Sequence, residues 1–398
     1  MDTFTKRTTV SYGQNIGNSF FGIIVGLLLL VGSVVLLWWN EGRSLKQADA
    51  LTEMKEKTVV LSDMAYNPEY NGRPVWLYGE IKPTKMLHDT LFMINANALV
   101  LSRKVEMYQW SERKETREEN KLGGGTERVT TYTYEKRWRE GRIASESFEK
   151  QEEHINPKLP YHSDSFISDA HVGDFYLATN VISGINASEQ LNLGKFPSTI
   201  GEVKNYQTFL YRGENPQEPK VGDVKITYSQ APGGVYSLYA KQEINSLVSF
   251  HAENGNQLLF IERGKVSAQE MLEGAQSINT LITWGVRVGG LFLMFMGFML
   301  IMGPLTVLAN VIPMFGSLVG GVSAIIASVL TLLFGSLVIA IAWFSVRPIT
   351  SLIILLVGGG LAYASSKLGK KNMRAVTEVR DSTTSVTPPP RTTPPPKK

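Results

Sequence analysis

The chain of 398 residues contains no cysteine. That excludes disulfides, thiolate metal sites, iron–sulfur clusters and cysteine nucleophiles. Histidine is also scarce. His88, His154, His162, His171 and His251 form neither a His-x3-His nor a His-Glu-x-x-His set, the spacings that place two imidazoles on one metal. No Gly-x-Ser-x-Gly elbow occurs. Gly123-Gly124-Gly125 lacks the following Lys-Ser/Thr of a phosphate loop, and Gly264-Lys265 lacks the preceding glycine. Carboxylates are numerous, but no spacing promotes a pair to acid and base. The sequence therefore offers no catalytic set, no cofactor, no metal site and no small-molecule substrate.

Charge is sparse where apolar residues are dense. Residues 288–312, 322–346 and 349–364 are almost wholly apolar, and so is the run 20–39 near the amino terminus. A hydrocarbon core of about 30 Å needs roughly 20 such residues per helix, so the third C-terminal run is the shortest candidate. Together they predict a membrane protein with four α-helical spans, one N-terminal and three C-terminal. A large β-rich α+β extracytoplasmic domain lies between spans one and two. The expected divisions are residues 1–19, a polar lead without lasting structure; 20–39, span one; 40–280, the domain; 281–366, three spans; and 367–398, a basic, proline-rich disordered tail. Lys6, Arg7 and Ala48-Asp49-Ala50 resemble parts of a signal peptide. The apolar run is too long for one, so a retained anchor is expected.

Lys6 and Arg7 before span one, and Lys367, Lys370, Lys371 and Arg374 after span four, predict that both termini are cytoplasmic. The domain then faces a periplasm or a lumen. Residues 1–40 carry +1 and residues 281–398 carry +8, so the chain total of +4 leaves the middle at −5. An acidic domain argues against nucleic acid as a partner. Asn186-Ala187-Ser188 is a lone glycosylation sequon.

Along the domain, residues 44–57 read as a helix leaving the membrane. Residues 75–82, 99–110 and 128–138 read as strands, with 112–127 a charge-rich connector whose Gly123-Gly124-Gly125 forms a mobile tip. Tyr132, Tyr134 and Trp138 share one parity, the pattern of a half-buried strand. Pro232-Gly233-Gly234 predicts a turn between two further strands. Ser267-Ala268-Gln269-Glu270 is a capping box that starts a helix running into span two. Gly22 and Gly26 in span one, and Gly316 and Gly320 in span three, are small-residue faces suited to close helix contact. Trp38 and Trp39 serve as an interfacial anchor. Arg287 is a charge just inside span two, expected to snorkel outward. Arg347-Pro348 marks the turn between spans three and four.

Several phrases resemble one family, transmembrane protein 43 or LUMA. They are Asn40-Glu41-Gly42-Arg43; the run Arg103 to Trp110, which includes Tyr108; Tyr132-Thr133-Tyr134 with Trp138-Arg139; His154-x-Asn156-Pro157; Glu214-Asn215-Pro216; Trp284-Gly285-x-Arg287; Met294-Phe295-Met296-Gly297; and Arg347-Pro348. The resemblance covers nearly the whole chain. It implies four spans, with the large domain in a lumen or periplasm. It implies residence in the endoplasmic reticulum and inner nuclear membrane in eukaryotes, with self-association and complexes involving lamins and emerin. Bacterial members exist, and the absence of cysteine favours a bacterial inner membrane. No catalytic residue carries over. The expected function is a non-enzymatic, multi-pass membrane scaffold, a homo-oligomer bound to membrane lipids and other membrane proteins. The alternatives are a channel or transport-associated protein, or an envelope or lipid-stress sensor.

Overall fold

The computed structural model describes residues 2–346. The expected fourth span at 349–364, Arg347 and the tail lie outside the described residues. Within them, three helices are long and apolar enough to cross a membrane. They are α1 (Tyr12–Lys57), α2 (Ala268–Ala309) and α3 (Pro313–Val346).

Helix α1 merges pieces that the sequence suggests are separate, whereas α2 runs unbroken into the second apolar run as expected. α1 joins the first apolar run to the helix expected at 44–57, so Asn40-Glu41-Gly42-Arg43 lies inside a helix. It starts at Ser11, whose side chain caps the Gln14 amide while the Gln14 side chain returns to the Ser11 amide. α2 starts at the expected Ser267–Glu270 capping box and continues through the second apolar run. α1 and α2 run antiparallel in close contact. A Cβ on Gly26 would lie 2.7 Å from the Gly297 carbonyl oxygen, closer than real Cβ atoms come. Without side chains at this crossing, the two backbones can touch.

The domain is built from two main sheets. The labelled strands of the first are β1 (Asp2–Val10), β3 (Ala98–Asn120), β4 (Thr126–Glu140) and β5 (Val224–Pro232), in the order β1-β4-β3-β5. Three short strands within 199–212 extend it beyond β5. The second sheet centres on β2 (Pro74–Pro83), β6 (Gly234–Glu243) and β7 (Phe260–Arg263), with Leu77 opposite Leu238.

Three expectations need correction. Residues 2–10 are a strand, not an unstructured lead, paired along their whole length with β4. The β3–β4 ladder does not stop at Trp110; it continues to Asn120 opposite Thr126. Glu118 bonds Arg128, and Lys121 bonds Glu127, so the charge-rich connector consists of cross-strand pairs. Its glycine tip is docked on the helix ends, as described below. Finally, Pro232-Gly233-Gly234 is not the turn of a simple hairpin. β5 pairs with β3 and β6 with β2, so the chain changes sheet there. Gly233 fits the corner because a Cβ would lie 2.9 Å from the Ile81 carbonyl oxygen.

Alternation on β4 is as expected: Thr130, Tyr132 and Tyr134 are buried while the intervening residues are less so. One apolar core surrounds Leu77, Phe175 and Leu238; another surrounds Leu101, Val105 and Ile226. A third joins the helices to the domain, where Ala50, Leu51 and Met54 of α1 and Met271 and Leu272 of α2 pack on Trp76 and Tyr239. Each buried Leu or Met there contributes about 1.5–3 kcal/mol relative to exposure. The helices are thus continuous with the domain's packing.

Candidate functional site

Just beyond that third core, before the apolar stretches begin, α1 and α2 share a set of polar side chains. Asn279, Thr283 and Arg287 recur at four-residue spacing on one face of α2. They meet Asn40, Glu41, Arg43 and Ser44 of α1. Arg287 donates from Nε and Nη2 to the two Glu41 carboxylate oxygens, both at 2.7 Å. The Glu41 side chain is 1% exposed and that of Arg287 15%. Instead of snorkelling outward, Arg287 turns to a carboxylate. Its guanidinium also lies 4.9 Å from the Trp284 ring centre.

Beside the ion pair is a hydrogen-bond network built on a second guanidinium. Arg43 donates to Asn279 Oδ1 and Thr283 Oγ1, both at 3.0 Å. Asn40 Nδ2 donates to the Thr283 carbonyl at 3.1 Å, and Asn279 Nδ2 to the Ser44 carbonyl at 3.0 Å. Asn40 Oδ1 and Arg43 Nε find no hydrogen-bond partner among the described residues. Gly42 has open space at its Cβ position and takes no part. The cluster contains no activated nucleophile. It is a polar clasp, in which a buried charge pair and amide hydrogen bonds fix the register of two apolar helices. Such groups specify one arrangement, because any slip leaves charges unpaired in an apolar setting.

The aromatic candidates form a second cluster on β3 and β4. Tyr108 and Trp138 face each other across the ladder at 5.4 Å, with Lys225 over Trp138 at 4.9 Å. Trp110 meets His154 edge-on at 4.6 Å, and its backbone is bracketed by Asn156. The buried His154 ring stacks on Tyr134 at 3.8 Å. Burial, and then the hydrogen bond to Glu112, pushes the Tyr134 hydroxyl well above its ordinary value, so it stays a phenol. Elsewhere in the domain, Asp89 accepts from Arg103 and Tyr228, both at 2.5 Å, in a buried group of three side chains. One concavity of about 630 Å³ lies on the ribbon formed by β1, β4 and β3. It is lined by residues already paired with one another, such as Arg7, Lys121 and Glu127.

Of the glycines, Gly26 contacts Gly297 and Gly22 approaches Leu300, so this face is occupied within the chain. Gly316 abuts Asn310 and Gly320 approaches Thr306, which closes the α2–α3 turn. The polar stripe 279-283-287 and the glycines 290 and 297 continue along α2. That periodicity was available in the sequence and would have identified Asn279 and Thr283. His154 and Asn156, marked in the sequence only by the family phrase His154-x-Asn156-Pro157, reach the aromatic cluster from a loop.

A β-rich domain packed onto an apolar helix pair and joined to it by a buried clasp defines a class: an integral membrane protein with a fused domain. The family model for "Transmembrane protein 43" matches residues 107–348. Human transmembrane protein 43 is 33% identical over 352 residues, covering 84% of this chain and 86% of its own length. The mouse protein is 33% identical over 369 residues, covering 88% and 90%. A Drosophila melanogaster homolog is 29% identical over 346 residues, covering 84% and 91%. The chain belongs to the transmembrane protein 43 family. No solved structure matches it.

Proposed function

We propose that the chain is a non-enzymatic membrane scaffold that self-associates and organises membrane protein complexes through its β-domain. The observation that carries this reading is the Glu41–Arg287 clasp, backed by the core at Met54, Trp76 and Met271. A partner bound to the domain is thereby held in fixed geometry to whatever packs on the helices. The Glu41 and Arg287 charges of the clasp are paired with each other, which suits a structural joint more than a site of turnover.

Self-association in this reading uses the outer helix faces, since the Gly26 face is already filled by α2. Leu28 and Val31 of α1 and Leu318 and Ile325 of α3 present apolar surface to lipid or to another span. The basic residues Lys367, Lys370, Lys371 and Arg374 support a cytoplasmic carboxyl end and a domain in a periplasm or lumen. The test is native mass measurement of full-length protein extracted in mild detergent. Assemblies of more than one copy are expected. A strict monomer at every concentration would end the reading.

A further inference from the structure

Between the end of α1 and the start of β2 the chain makes a loop, residues 58–72, with little regular structure. It is nevertheless fixed to the second sheet at several points. The Leu61 amide donates to the Trp76 carbonyl at 2.9 Å, and the Tyr66 amide to the Asp174 carboxylate at 3.2 Å. Asp174 returns its own amide to the Met64 carbonyl at 3.0 Å. Gln242 Nε2 donates to the Asn67 carbonyl at 2.6 Å, and the Gln242 carbonyl accepts from the Gly72 amide at 2.8 Å. The Met64 side chain fills a notch that two glycines leave open. A Cβ on Gly79 would overlap its sulfur, and one on Gly173 would overlap its Cβ.

The loop surrounds a concavity of about 400 Å³, within the size range of small-molecule sites. Val60, Leu61, Tyr66 and Tyr70 line it, together with Asp63. Tyr66 and Tyr70 also pack on the core around Leu77 and Phe175, which holds them in place. Val60, in contrast, is 63% exposed, an apolar side chain left without cover. Among the residues that line the concavity, Asp63 alone carries a charge. Its carboxylate is exposed and takes no hydrogen bond or ion pair among the described residues.

We infer that this loop is a binding site for a small organic ammonium ion of the choline type. The face of a tyrosine ring is negative and attracts a cation, and alkylated ammonium groups are the ligands aromatic walls suit best. Asp63 supplies the opposite charge, and Val60 and Leu61 cover methyl or methylene groups. An anion is disfavoured there, since Asp63 repels it and no lining lysine or arginine holds it. The anchors at Met64, Tyr66 and Asn67 order the loop before a ligand arrives, so little affinity is lost to fixing it. The site uses no residue of the Glu41–Arg287 clasp and stands or falls apart from the scaffold reading.

The test is calorimetric titration of the full-length protein in a maltoside detergent, which carries no ammonium group, at constant ionic strength. The probes are choline, glycerophosphocholine, and the uncharged analogue of choline in which a tert-butyl group replaces the trimethylammonium. Choline is expected to bind and the uncharged analogue to give no saturable heat. Asp63→Asn should weaken choline about tenfold, and Tyr70→Leu severalfold. Asp63 is exposed, so its variant tests the site without disturbing the core. Both cationic probes share the recognised group: tighter binding of glycerophosphocholine assigns the site to a lipid headgroup, and tighter binding of choline to a free amine. The inference is overturned if neither cation binds, if the uncharged analogue binds as well as choline, or if Asp63→Asn binds choline like the parent.

Discussion

Glu41 and Arg287, 246 positions apart in sequence, meet through two parallel hydrogen bonds of 2.7 Å each. A bidentate guanidinium–carboxylate pair is more directional than a point-charge contact. Here it tethers the helix that enters the domain to the helix that leaves it, at the boundary between domain packing and apolar span. The close crossing at Gly26 depends on those helices holding one register.

Breaking this pair on one side is expected to be costly. Glu41→Gln leaves a guanidinium that is largely buried and unpaired. The expected loss is on the order of 2–3 kcal/mol, on the low side for a buried pair because Arg287 keeps some solvent. Glu41→Leu combined with Arg287→Met removes both charges and should recover most of the loss. Thermal unfolding of the detergent-solubilised protein measures both. Equal losses in single and double variants would show that the charges do not act as a pair.

The glycine faces predict a contrast between neighbours. At Gly26 an added Cβ meets the Gly297 carbonyl oxygen at 2.7 Å, a backbone atom that cannot rotate away. Gly26→Ala should separate the helices and cost about 1–3 kcal/mol. At Gly22 the nearest atom is 3.7 Å away, an ordinary contact. Gly22→Ala should fall within about 0.5 kcal/mol of the parent. Thermal midpoints of the two variants decide it; equal effects would mean that the close approach is not formed.

Much of this architecture was legible from pattern alone. The apolar runs, the capping box at Ser267 and the parity of Tyr132 and Tyr134 all rest on local periodicity, which a sequence records directly. The clasp was half legible. Glu41, Arg43 and Arg287 stand out as charges beside apolar runs, but their pairing is a long-range fact that hydropathy cannot supply. The role of residues 2–10 was hidden for a related reason. Thr-rich, basic and short, they look like a solvated lead until β4 offers a partner edge. The sheet change at Gly233 was misread because a Pro-Gly-Gly turn signals reversal without saying which strand receives the chain.

The tip of the ribbon should depend on which glycine is changed. Gly123 and Gly124 have φ of +87° and +80°, a region that costs an L-residue roughly 1–2 kcal/mol. Gly123 has open space at its Cβ position, while Gly124 is covered by the Tyr12 ring. Gly123→Ala should show only the backbone cost. Gly124→Ala should also displace Tyr12 and release the start of α1. Hydrogen exchange over residues 2–19 is the readout, with faster exchange expected in Gly124→Ala than in Gly123→Ala. Matching rates would detach Tyr12 from the tip's stability.

Acid should loosen β1 before it unfolds the domain. The hydrogen bond from Lys6 holds the Glu149 carboxyl below its ordinary 4.5, and Lys121, with Arg7 adding to it, does the same for Glu127. A carboxyl lowered in the folded state binds fewer protons there than when unfolded. Its stabilisation is therefore complete above pH 4.5 and disappears as the pH falls through the lowered value. Lys6, raised by the same partner, stays charged through that range, so the pair is lost with the Glu149 charge in acid and with the Lys6 charge only in strong alkali. Glu149 is solvent-exposed and Glu127 half-buried, and both pair directly with β1, so the effect is confined to that docking. Hydrogen exchange of residues 2–10, corrected for intrinsic rates, should stay protected above pH 4.5 and lose protection as the pH falls below it. The β2–β6 ladder, which has no such pairs across it, should keep its protection over the same interval. Loss of both together would mean that β1 is not held by these carboxylates, and a Glu149→Gln variant that keeps the parent profile would lead to the same conclusion.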